Sequence, residues 1–153
     1  MKNTRLTSIL SSGLIASALA IGSLASTQTV SAQSARPLAD VNIPFSFQTA
    51  TQTLPAGAYR VILESNNLVY LRGPGSKGGM VMTHTAIQTN APSRGVAVFA
   101  RYGDKYYLRQ LWTAGNPAGL EFSQGRAEKE SRIAKNTQAP SSVELALNSI
   151  PKQ

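Results

Sequence analysis

The chain has one histidine and no cysteine in 153 residues. These two facts bound most of its possible chemistry. His84 could serve as a general base if a nucleophile and an orienting carboxylate lay beside it. Serines are plentiful, and Asp40, Asp104 and Glu64 are available acids. No Gly-x-Ser-x-Gly elbow marks a nucleophile. Geometry, not inventory, defines such a site, so the plainer expectation is a strand histidine, partly buried with a polar partner. Glu64, Glu121 and Asp104 could supply a carboxylate pair for glycoside hydrolysis, but two acids can be found in almost any domain. One His without Cys excludes ordinary zinc sites, and no Asp-x-Asp-x-Asp run offers calcium its oxygens. The stretch Gly73-Pro74-Gly75-Ser76-Lys77-Gly78-Gly79 lacks the Gly-Lys-Ser/Thr ending of a phosphate loop and reads as a hairpin loop. No cofactor is expected.

The richest set for binding is basic and aromatic. Arg101, Lys105 and Arg109 flank Tyr102, Tyr106 and Tyr107, with Trp112 close behind. Alternating cations and rings suit stacking on sugars together with contacts to anions. The competing reading is that strand alternation sends the rings into the core and the cations into water. Charge leans the same way as the set: 15 Lys and Arg against 7 Asp and Glu. Without Lys2 and Arg5 of the leader, 13 basic residues still face those 7 acids. A surplus of this sign favours anionic polymer, glycan or another envelope protein as partner.

The element that must position this set is Val96 to Trp112. Its centre, Gly103-Asp104, separates two runs rich in β-branched and aromatic residues, which predicts a hairpin. An even loop puts Phe99 with Tyr106, Leu108 and Trp112; an odd loop pairs that set with Val98, Ala100 and Tyr102.

Other elements follow from alternation and turn chemistry. Val41, Ile43, Phe45 and Phe47 share one face of a half-buried strand, and Pro44 places that strand at an edge. Leu54-Pro55-Ala56-Gly57 is a turn before a strand over Tyr59–Leu63; Leu68–Leu71 is a third strand. Met80 to Thr89 is a fourth, with Met80, Met82, His84 and Ala86 on one face. Leu120–Phe122 is a weak strand. Arg126–Lys135 is the one helix, with Arg126/Glu130 and Glu128/Arg132 as i,i+4 pairs and a thin apolar stripe that suits a surface position. Pro140 breaks the tail, and Val143–Ile150 could add a last strand. Short strands at regular spacing indicate a single antiparallel β-sandwich or small barrel with one short C-terminal helix.

The front of the chain predicts export. Lys2 and Arg5 precede an uncharged run from Leu6 to Ala35, and Val30-Ser31-Ala32 offers small residues for cleavage before Gln33. The run is long enough for a membrane span of about 20 residues, but Ser, Thr, Gly and Gln dilute it. A cleaved signal is therefore expected over residues 1–32, a linker over 33–40, the β-rich domain with its helix over 41–135, and a tail over 136–153. No membrane span would remain, and nucleic acid is not expected as a partner outside the cytoplasm.

The segments VNIPFSFQ, TLPAGAYRV, FARYGDKYYLRQLW and GRAEKE resemble a family of short exported bacterial proteins of unknown function. In that family a signal precedes a V-x-I-P-F-x-F strand, an LPAG-x-Y-x-V turn and strand, and an RYGD-x-Y-F-L hairpin. The match covers most of Val41 to Glu130, with Tyr107 where Phe is usual. The resemblance implies export and a β-rich domain and carries no assigned activity. Three functions stay open: an exported non-enzymatic binding protein, a small hydrolase using His84 or a carboxylate pair, and a barrel holding an apolar ligand.

Overall fold

The computed structural model describes residues 35–134 and 139–150. The expected signal over 1–32 lies outside the described residues, as do Lys135 and the ends of the tail. Within them the chain is mainly β with one short helix, as the spacing of strands and turns predicts. The strands are β1 (Arg36–Ile43), β2 (Phe47–Gln48), β3 (Thr53–Leu54), β4 (Gly57–Ser65), β5 (Leu68–Arg72), β6 (Gly78–Ile87), β7 (Val96–Tyr102), β8 (Lys105–Trp112) and β9 (Ala118–Phe122). The helix α1 (Arg126–Ala134) and two tail strands, β10 (Ser141–Ala146) and β11 (Asn148–Ser149), complete the order.

β1 begins at Arg36, inside the stretch expected to be a linker, and runs antiparallel to β4. Its alternation is the predicted one, with Val41 and Ile43 buried and Asn42 exposed. The strand stops at Pro44, which has no N–H to give, and Phe47 resumes pairing as β2 against β3 and β8.

The main sheet path runs β10-β7-β8-β9-β6-β5-β4-β1-β11. β6 turns the corner. Its first half pairs with β5 through Leu68–Met82, and its second half pairs with β9 through Thr83–Phe122. The tail closes the circuit differently. β10 adds to β7 and β11 adds to β1, so strands joined through Leu147 alone lie at opposite ends of the path. The sheet is not closed by hydrogen bonds between these ends. Two short strands thus stand where the sequence offered one.

The inner faces meet in one core that includes Val41, Phe47, Tyr59, Val69, Phe99 and Phe122. Phe47 stands edge-on to both Tyr59 (centroids 5.2 Å) and Phe99 (5.6 Å). Such pairs add about 1 kcal/mol beyond the apolar area that they bury.

Candidate functional site

The predicted hairpin forms, with Gly103 at φ 64° in its two-residue turn. The loop is even, so Phe99 pairs with Leu108 and Arg101 with Tyr106. Between these pairs and the strand ends the register shifts: Val98 faces Gln110, and Arg109 is the extra residue. A bulge inverts the alternation beyond it. Leu111 therefore joins the core, and Trp112 goes to the opposite face from Phe99, correcting the even-loop expectation.

The bulge and the helix together divide the basic and aromatic set. Tyr102 and Tyr107 lie on the outer face but are buried. Their rings meet edge-on at 5.7 Å. The Tyr107 hydroxyl donates to the Ala127 carbonyl oxygen (3.2 Å) and lies 2.8 Å from Ser131 Oγ, which places α1 over it. Trp112 is 7% exposed. Its ring lies against Gly119, and its Nε1 donates to Gln110 Oε1 at 3.1 Å. Arg109 turns under the helix, where Nη1 donates to the Phe122 carbonyl (2.8 Å) and Nη2 to Glu121 Oε1 (3.1 Å). Of the set, Arg101 and Lys105 are exposed and Tyr106 and Arg109 are half-buried, whereas Tyr102, Tyr107 and Trp112 are buried. Arg101 lies over the Tyr106 ring at 5.4 Å, and Tyr106 stacks on Phe45 at 3.8 Å.

α1 buries an acid, not an apolar stripe. Glu128 is 3% exposed and faces Arg109 Nη1 at 3.5 Å. Its sequence-predicted partner was Arg132; the predicted Arg126–Glu130 pair is present at 2.7 Å. Burial raises the Glu128 carboxyl above its ordinary value, against the opposing pull of Arg109 and Arg132.

His84 lies on the exposed face of β6, not partly buried, with Nε2 3.0 Å from Ser123 Oγ. Glu121 is its cross-strand neighbour but is held by Arg109. The imidazole and hydroxyl therefore meet without a carboxylate hydrogen-bonded to the ring among the described residues. Asp40 pairs with Arg60 at 2.8 Å, which holds its carboxyl below the usual range. Among the described residues, neither Glu64 nor Asp104 joins an ion pair.

A site that sequence reasoning missed lies between strands that are not neighbours in the sheet. A cavity of about 170 Å³ opens between β1 and β4 on one side and β8 and β9 on the other. Leu38, Leu63, Leu111, Leu120 and Leu147 line it, with Arg36 the charged residue in the lining. Leu38 and Leu147 also line an adjoining hollow of about 340 Å³, where Arg94 sits. No periodicity announces this cleft, because its leucines come from five separate segments. Among the described residues no cluster of His and acids forms a metal site, and no helix is long and apolar enough to cross a membrane. No family model, curated protein or solved structure matches the chain.

Proposed function

We propose that this is a non-enzymatic exported protein that holds a small amphiphilic anion, with its apolar part in the leucine-lined cleft and its anionic head at Arg36. The observation that carries this reading is a core left unsealed at one end, with a cationic residue and no acid in its lining. An open, mostly apolar cleft with a charged residue in its lining is a usual place for a small ligand. A cavity of this size suits a short chain or a single ring, since about 150 Å³ accommodates a benzene. Export rests on the charged, then apolar, then small-residue order of the leader. The polymer-binding alternative loses three of its rings to burial, because Tyr102, Tyr107 and Trp112 offer no free face.

Calorimetry of the full chain with a series of short and medium saturated carboxylates tests the reading. Binding is expected to strengthen with chain length until the cleft is filled. Leu120→Trp should weaken it at least tenfold, and Arg36→Gln about tenfold, which corresponds to about 1.4 kcal/mol. Circular dichroism checks that each variant is folded. Absence of binding by the unaltered chain, or full binding by folded Leu120→Trp, rejects the site.

A further inference from the structure

The outer face of β4, β5 and the first half of β6 carries large apolar side chains, independent of the cleft. Ile62, Tyr70 and Met80 stand in direct register across the three strands. Leu68 and Met82 form the next cross-strand pair on the same face. Met80 is 57% exposed and Met82 51%. Outward strand positions are ordinarily polar, and a contiguous apolar patch there marks a contact surface.

Charge on this face is uneven too. Arg60 and Arg72 lie directly opposite one another on β4 and β5. Like charges so placed repel. Asp40 accepts from Arg60 through both of its carboxylate oxygens, at 2.8 and 3.1 Å, and leaves Arg72 unanswered. Glu64 stands two residues beyond Ile62, where β4 bulges, and joins no ion pair among the described residues. An unpaired cation thus flanks the apolar row on one side and an unpaired acid on the other.

We propose that this face packs on the same face of a second copy of the chain, about a two-fold axis that runs along the row of Ile62, Tyr70 and Met80. Such an axis exchanges positions equally distant on either side of the row. On β4 it sets Glu64 of each copy against Arg60 of the other, so that Arg60 and Arg72 share two carboxylates in place of one. On β6 it sets Met82 against Gly78. The Tyr70 ring leans across that glycine, where a Cβ would lie 3.3 Å from Tyr70 Cζ. The low, flat side of each face therefore meets the tall side of the other, with a methionine sulfur on an aromatic ring. On β5 Leu68 meets the aliphatic stem of Arg72, whose guanidinium lies 5.9 Å from the Tyr70 ring centre. Sheets stacked in this way lie about 10 Å apart, a gap that side chains of this size fill. An anionic lipid surface fits less well, because Asp40 and Glu64 stand among the cations it would meet.

Sedimentation velocity of the full chain should show a monomer–dimer equilibrium at micromolar concentration. Met80 lies on the axis and so faces its own copy. Met80→Lys sets two ammonium groups against each other and should weaken the dimer about a hundredfold, and Glu64→Lys about tenfold, with circular dichroism to check folding. The chain has no cysteine, which permits a geometric test. Under mild oxidation Met80→Cys should form disulfide-linked dimers, whereas Ile87→Cys, 81% exposed on the far half of the same strand, should stay monomeric. An unaltered chain that is monomeric throughout, or equal cross-linking of the two cysteine variants, overturns the interface. A monomer that instead pellets with vesicles of phosphatidylglycerol and phosphatidylcholine overturns it in favour of a membrane surface.

Discussion

Arg109 and Glu128 meet at 3.5 Å beneath the helix, where Arg109 follows Tyr107 by two residues on the same outer face of β8. Glu128 Oε2 faces the guanidinium, and Oε1 is buried without a hydrogen-bond partner among the described residues. The helix is therefore fastened by a buried polar contact, together with the Tyr107 hydroxyl, in place of an apolar stripe.

This contact sets a pH dependence. A carboxyl raised in the folded state binds its proton more tightly there than in the unfolded chain. Its ionisation therefore costs stability as pH rises from the ordinary value of 4.5 through the raised folded value. Thermal melts from pH 4.5 to 8 should show Glu128→Gln gaining on the unaltered chain as pH rises. An unchanged difference across that window would contradict the assignment.

Removing the cation is predicted to do more harm than removing the charge of the acid. Arg109→Ala leaves Glu128 buried and unpaired, a loss of about 3 kcal/mol. Denaturant unfolding at pH 7 reads this directly, and Arg109→Ala should recover part of the loss when combined with Glu128→Gln.

Gly119 is held free of a side chain by Trp112. A Cβ at Gly119 would lie 2.4 Å from Trp112 Cε3, in the face of a ring that is itself buried. Gly119→Ala should cost about 1–3 kcal/mol through displacement of that ring. Loss of stability in urea, accompanied by a red shift of the tryptophan emission, is the expected result.

The same burial makes Trp112 a reporter. It is the single tryptophan. Its emission should be blue-shifted in the folded chain, resist acrylamide, and remain unchanged on adding anionic polysaccharide. Quenching as strong as in the unfolded chain would return Trp112 to the surface.

At the other sign of pH dependence stands Asp40, held below its ordinary 3.8 by Arg60. Its contribution is present above that value and fades as pH falls through the lowered one. Both partners are about half exposed, so water screens the pair. Asp40→Asn should cost less than about 1 kcal/mol at pH 7 and almost nothing at pH 2, as measured by thermal melts.

Much of this protein was legible in its sequence, where the cause was local. Alternation over Val41–Phe47 set which residues face inward. Gly103-Asp104 marked the hairpin, but its two-residue loop, left open there between even and odd, was decided by the pairing of Tyr102 with Lys105. The absence of cysteine removed whole classes of chemistry. What tertiary structure decided was everything that depends on neighbours distant in sequence. The bulge at Arg109 sent Trp112 across the sheet, although nothing in the run KYYLRQLW distinguishes a bulged from a regular strand. α1 covered Tyr102 and Tyr107, because a hydroxyl partner and a buried ion pair can hold a helix whose apolar stripe is thin. The cleft gathered Leu38, Leu63, Leu111, Leu120 and Leu147 from five segments. Side-chain alternation is a property of two successive residues, whereas burial is a property of what the rest of the chain lays on top of them.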